Sequence, residues 1–226
     1  MRVLYGRNHT TLGEVAVVAD GRAAAALSPG RFPKGYPHTD PNEDCVAVAD
    51  LGTRVLLAAA DGHHGVEASH AAIGAVAQVV ASLQHTTPRR LVEVVIDAVA
   101  EITSGSRTAL TVALFDAQRG QAFTFGDTYL IRLRDSKGKR LNRPAPFLDA
   151  GSTAEDARFD RFSLRPGDRI LAATDGLIDF LGRSALARLA AIDEPDPTTW
   201  VNEAIDLALT GGAGDNIGVA LGGLQP

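Results

Sequence analysis

The chain has a single cysteine, Cys45. That excludes an internal disulfide framework and any zinc site built from several thiolates. No apolar run approaches the length of a membrane span, and the opening M-R-V-L-Y-G-R-N-H-T lacks the apolar core of a signal peptide. A cytoplasmic location without a membrane partner is the resulting expectation. Positive charge is not in excess, the net charge being -5. Without a basic footprint, no nucleic-acid partner is expected. Neither a G-x-S-x-G elbow nor a phosphate-gripping G-x-x-x-x-G-K-[ST] loop occurs.

What is present is an ordinary globular composition. The 226 residues are 45% hydrophobic and 22% charged, enough to bury a sizeable core as one domain spanning 1–226. The most informative stretch is Val55–Gly65, V-L-L-A-A-A-D-G-H-H-G. Its apolar run reads as a buried strand that stops at Asp61, with a tight turn at Gly62 and two histidines beyond. A carboxylate, a turn and an imidazole at the end of a core strand are the parts of a metal or acid/base site. The phrase is echoed downstream in L-A-A-T-D-G, ending at Asp175 and Gly176.

In chain order, 14–19 and 23–27 flank Asp20-Gly21 and read as an edge hairpin. Residues 28–42 carry four prolines and two glycines and read as a long, functional loop. Strands are expected over 44–49 and 54–60, the second apolar on both faces and so covered from above and below. Val66, Ile73, Val76, Val80 and Leu83 recur at helical spacing. Pro88 opens a second helix with Leu91, Val95, Ala98 and Ile102 on its buried stripe. Strands follow over 108–115, 122–125 and 128–134, then an exposed turn at 137–140 and an irregular stretch over 147–161 with weak strand character at 161–164. A strand over 169–174, helices over 177–181, 184–191 and 198–209, and a last strand over 217–221 complete the pattern. Hairpin-joined strands and helices in blocks predict an α+β fold with antiparallel sheets.

The acidic residues Glu43, Asp44, Asp61, Asp127, Asp175 and Asp215 all fall where an expected strand starts or stops. Hard carboxylate oxygens suit Mg²⁺ or Mn²⁺. Taken singly, an Asp-Gly or Gly-Asp pair is more often only a turn; the set, embedded in apolar strands, is harder to explain that way.

The motifs N-E-D at 42–44, D-G-H-H-G at 61–65, G-D-T at 126–128, A-T-D-G-L-I-D at 173–179 and G-D-N at 214–216 resemble, in order and spacing, the metal-dependent protein serine/threonine phosphatases of the protein phosphatase 2C type. The resemblance runs from about Asn42 to Leu221. It implies a four-layer α-β-β-α sandwich, two antiparallel sheets flanked by helices, with two Mn²⁺ or Mg²⁺ ions at one end. It implies that Asp61 bridges the ions, that Glu43 and the Gly62 carbonyl complete one site, and that Asp175 and Asp215 serve the other. Asp44 would hold metal-bound water and Asp127 a weaker third ion. The expected partners are a phosphorylated protein substrate and a partner serine/threonine kinase. His63 fits a general acid for the departing alkoxide. His64 is expected to cap or pack at a helix start, His70 to be an ordinary helix residue, His9, His38 and His85 to lie in loops, and Cys45 to be a small buried hydrophobe.

One departure stands out. Where the family commonly grips phosphate with an arginine, three residues before the N-E-D asparagine, this chain has Thr39, which offers no charged fork. Lys34, His38, Arg31 and Arg7 are the candidates to replace it. The A-T-D-G-L-I-D phrase also resembles the haloacid-dehalogenase signature, but Ala173 stands where that chemistry needs a nucleophilic aspartate. The remaining alternative to an enzyme is a catalytically weak or inactive phosphatase-like module that binds metal or phosphoprotein.

Overall fold

The computed structural model describes residues 1–36, 38–80 and 87–223. Among these residues twelve strands form two antiparallel sheets. The strands are β1 (Arg2–Tyr5), β2 (Ala16–Asp20), β3 (Ala23–Ser28), β4 (Cys45–Asp50), β5 (Val55–His63), β6 (Arg107–Phe115), β7 (Arg119–Phe125), β8 (Tyr129–Arg134), β9 (Lys137–Arg140), β10 (Arg158–Ser163), β11 (Arg169–Ala173) and β12 (Ile217–Gly223). One sheet runs β1-β4-β5-β6-β7-β10 and the other β2-β3-β12-β11-β8-β9.

Alternation decides which side chains lie between the sheets. Val55, Leu57 and Ala59 of β5 pack there with Leu27, Leu130, Ile170 and Ala220 from the other sheet. The residues between them, Leu56, Ala58 and Ala60, face α1 (Glu67–Val79) and α2 (Pro88–Ala100). This double cover is why β5 reads as apolar on both faces. On the far side α3 (Asp175–Leu181), α4 (Ala185–Ala190) and α5 (Pro197–Thr210) bury Trp200, Val201, Ala204 and Ile205 against the second sheet. The result is the expected α-β-β-α sandwich. Among the described residues no helix is long and apolar enough to cross a membrane.

Several local expectations need correction. β1 was not foreseen; its four residues are too short to show a period, and it forms only by pairing with β4. β5 does not stop at Asp61, because Asp61, Gly62 and His63 pair with Ala109, Thr108 and Arg107 of β6. The chain reverses one step later, at His64 (φ 62) and Gly65 (φ 115). His64 is exposed there and caps nothing; the residue preceding α1 is Val66. Residues 137–140 are a strand, since the turn falls at Asp135 and Ser136, both with positive φ. Asp175 and Gly176 open α3 instead of forming a turn. In α2, Val92 and Val99 join Leu91 and Val95 on the buried stripe, with Ala98 and, just beyond the helix, Ile102 half-buried against the same core. Leu83 and His85 lie outside the described residues.

Candidate metal centre

Continuing the inward-facing register of β5 past Ala59 brings Asp61 and then His63 to the end of the sandwich, where the two sheets open. Asp44 reaches the same place from the start of β4, two residues before inward-facing Val46. From the other sheet, Thr174 follows β11 and carries Asp175 into the first turn of α3, while Asp215 and Asn216 lead into β12. Two polar residues lock these segments together. The Thr174 hydroxyl donates to Asp44 Oδ2 at 2.7 Å and accepts from Gly218 N–H at 2.8 Å. The Asn216 amide donates to the Pro29 and Pro41 carbonyls, and its Oδ1 accepts from Glu43 N–H at 2.9 Å. Gly62 is required by close approach: a Cβ there would lie 2.5 Å from the Glu43 carbonyl oxygen.

Glu43, Asp44, Asp61, Asp175 and Asp215 therefore share one electrostatic environment. Burial raises the Asp61 pKa well above the carboxylate range, and Asp44, Asp175 and Asp215 push it further. Asp44 is raised by burial, then by Asp215 and Asp175, against the pull of Lys34 and Thr174. Asp175 is raised by burial and by Asp215, Asp127 and Asp179. Like charges held this close out of water demand a cation. One is already there. Lys34 Nζ lies 3.0 Å from Glu43 Oε2 and 3.7 Å from Asp215 Oδ1. Burial alone would lower its pKa, but Asp44, Glu43 and Asp215 prevail and raise it. Tyr36 adds a hydroxyl that donates to both Asp215 oxygens, at 2.8 and 3.0 Å.

A single ammonium leaves most of this negative charge uncompensated, and the oxygen donors fit a hard divalent cation. No three His, Cys, Asp or Glu side chains among the described residues stand ready-made around one point. Glu43 and Asp215 point instead at Lys34 and Tyr36. The raising of Asp44, Asp61 and Asp175 by burial and by neighbouring carboxylates is the weightier observation, because it follows from acids crowded at one end of the sandwich.

Asp127 sits apart, between β7 and β8. It acts on Asp175 and His63 through its charge, and its Oδ1 is buried with no hydrogen-bond partner among the described residues. His63 Nε2 lies 3.5 Å from Asp61 Oδ2, and its ring meets Phe147 edge-on at 4.9 Å. Its pKa is lowered by burial, with Arg107 and Lys34 adding to that and Asp127 and Glu43 opposing it. Arg107, opposite His63 in the sheet, is exposed, and its guanidinium stacks over the Phe147 ring at 4.8 Å.

Of the candidates to replace the absent arginine, Lys34 enters the acid cluster. Arg7 turns away, donating to His70 Nδ1 at 2.7 Å; His70 is accordingly a buried, bonded side chain and not an ordinary helix residue. His38 is exposed, with Nδ1 3.0 Å from the Tyr36 carbonyl, and Arg31 lies over Phe32. Cys45 is fully buried, and burial raises its thiol pKa. Tyr36, Thr174, Arg107 and Phe147 were missed by sequence reasoning. Thr174 and Asn216 lay inside motifs that could have flagged them; Tyr36 had no signal beyond its place in a long proline-rich loop.

A sequence profile of the family described as stage II sporulation protein E (SpoIIE) matches residues 51–216. No curated protein sequence matches the chain. Solved structures give the same fold. The Mycobacterium tuberculosis serine/threonine phosphatase PstP/Ppp is 24% identical, covers 91% of this chain and 99% of its own, and superposes with a TM-score of 0.72. The catalytic domain of PstP in complex with 2 manganese ions is 23% identical over 94% of this chain and 100% of its own, also at a TM-score of 0.72. The PPM Ser-Thr phosphatase MsPP from Mycobacterium smegmatis, in complex with cacodylate, is 23% identical over 89% and 97%, at a TM-score of 0.65.

Proposed function

The chain belongs to the stage II sporulation protein E family, which is protein phosphatase 2C-like, and on that premise we propose that it is a Mn²⁺- or Mg²⁺-dependent phosphomonoester hydrolase acting on phosphoserine or phosphothreonine in proteins. The observation that carries this reading is the meeting of Glu43, Asp44, Asp61, Asp175 and Asp215, buried or half-buried, at the open end of the sandwich with the Lys34 ammonium among them, where burial and neighbouring carboxylates raise the pKa of Asp44, Asp61 and Asp175. Asp44, Asp61, Asp175 and Asp215 would hold the metal, with Asp127 as a weaker outer ligand. When bound, divalent ions lower the pKa of water and neutralise the phosphoryl oxygens.

The chain's own residues do the rest. Thr174 orients Asp44 and ties β11 to β12. His63 presents Nε2 beside Asp61, where a proton for the leaving alkoxide can be held. Arg107 is an exposed cation beside His63, held in place by Phe147, and it suits the phosphate dianion that Thr39 cannot grip. The absence of a charged side chain at Thr39 supports a second reading, a phosphatase-like module that binds phosphoprotein without turnover.

Hydrolysis of an aryl phosphate with and without Mn²⁺, by the wild type and by Asp175→Asn, tests the first reading. Metal-dependent turnover that Asp175→Asn abolishes supports it. Metal-independent turnover, or an unimpaired variant, sinks it. A wild type that binds Mn²⁺ and phosphopeptide but turns over neither substrate gives the second reading.

A further inference from the structure

The carboxylates of the acid end are not equally in need of a cation. Glu43 is fully engaged by the protein itself. Its Oε1 accepts from the backbone N–H groups of Gly65, Thr39 and Asp40 at 2.7, 3.2 and 3.3 Å, and its Oε2 accepts from Lys34 Nζ at 3.0 Å. Four donors exhaust what a carboxylate can accept. Asp215 is nearly as well supplied, by the Tyr36 hydroxyl, by the backbone N–H of Asn216 at 2.7 Å and by Lys34 at 3.7 Å. Asp61 is the opposite case. Among the described residues no hydrogen bond reaches its carboxylate, and His63 Nε2 at 3.5 Å is its one close partner. Asp44 has the Thr174 hydroxyl alone.

Lys34 is not a surface arm that has fallen into the site. Its side chain is 2% exposed, as is that of Glu43, and Nζ lies 5.4 Å from the centre of the Tyr36 ring. The loop that carries it is tied down on both sides. Arg31 and Phe32 donate N–H bonds to the Ala213 carbonyl at 2.8 and 3.0 Å, Asn216 binds the carbonyls of Pro29 and Pro41, and Asp40 accepts from Val66 N–H. A lysine fixed in this way supplies a permanent positive charge to the Glu43–Asp215 side of the cluster and leaves the Asp44–Asp61 side unmet.

We infer that Lys34 is a resident cation of this centre, standing where the divalent ion that Glu43 would help to hold would otherwise sit, so that the protein binds one divalent ion tightly and a second only weakly. The inference rests on the metal-dependent reading above and adds to it the residue that sets ion occupancy. A second ion must either displace the ammonium from Glu43 or lie beside it, and both cost affinity.

Calorimetric titration of Mn²⁺ into the metal-free protein tests this without any turnover. The wild type is expected to show one tight and one weak ion. Lys34→Met, which keeps the length and removes the charge, is expected to tighten the weaker ion by roughly tenfold or more, the scale of one charge removed at a few ångströms. Lys34→Arg should bind as the wild type does. Two equally tight ions in the wild type, or unchanged constants in Lys34→Met, overturn the inference and leave the metal-dependent reading standing. Failure of the wild type to bind Mn²⁺ at all overturns both. Should Lys34→Met not fold, the wild-type stoichiometry still decides.

Discussion

Two groups of polar side chains lie between the sheets of this sandwich, and the fold treats them in opposite ways. One joins Thr111, Thr124, Thr128 and Asn142. The hydroxyl of Thr111 meets those of Thr124 at 3.1 Å and Thr128 at 2.8 Å, and the Asn142 amide donates to Thr111, Thr124 and the Thr128 carbonyl. Asn142 Oδ1 accepts in turn from Leu130 N–H at 2.9 Å. Every member is neutral and partnered. The other group is the acid end, where burial and neighbouring carboxylates raise the pKa of Asp44, Asp61 and Asp175 and where, among the described residues, no hydrogen bond reaches the Asp61 carboxylate. A satisfied buried network specifies structure; one left short of partners in the middle of well-formed strands is where a ligand belongs.

The largest expected effect lies at the acid end. Asp61→Asn and Asp175→Asn should each lower metal-dependent phosphatase activity by roughly 100-fold or more, as loss of several kcal/mol of metal-borne charge stabilisation implies. Their far-ultraviolet circular dichroism should be unchanged, so that the loss reads as chemistry and not unfolding.

Next comes the satisfied network, where the sign of the comparison reverses. Asn142→Leu removes the hub and orphans the hydroxyls around it, which should cost about 1–3 kcal/mol in denaturant unfolding, with Mn²⁺ affinity retained. At the acid end the neutral replacement Asp44→Asn should do the contrary and stabilise the metal-free protein, on the order of 1 kcal/mol at neutral pH. A folded-state pKa raised above the unfolded value means that the ionised form opposes folding. Equal signs for these two substitutions would erase the distinction.

His70 is intermediate. Nδ1 accepts from Arg7, Nε2 is buried with no hydrogen-bond partner among the described residues, and burial together with the Arg7 charge lowers its pKa to about 4. The unfolded chain takes up this proton near pH 6.5 and the folded one only near 4. The contribution of neutral His70 is therefore complete above about pH 6.5 and is lost as pH falls through that window. His70→Gln should flatten the slope of stability against pH between those values, a smaller effect than the preceding ones.

The same contrast explains what could be read from the sequence. The double-sided apolar pattern of 55–60 and the hairpin at Asp20-Gly21 were legible because alternation and turn chemistry are local. The acids Glu43, Asp44, Asp61, Asp175 and Asp215 were legible as a set because each adjoins a strand end. Which of them the protein already satisfies was not. Lys34 and Tyr36 come from a loop without periodicity, and their partners Glu43 and Asp215 are distant in the chain. Extension of β5 through His63 was hidden for a related reason, since it depends on Arg107–Ala109 of β6 lying alongside.

The claim beneath all of this is that the acid end of the sandwich is built around a cation the protein does not itself supply in full. Thermal melting with and without Mn²⁺, for the wild type and Asp61→Asn, addresses it directly. The account predicts that Mn²⁺ raises the wild-type Tm by several degrees, that Asp61→Asn melts higher than the wild type without metal, and that added Mn²⁺ moves the variant little. A wild-type Tm indifferent to Mn²⁺, or an equal rise in Asp61→Asn, would contradict it.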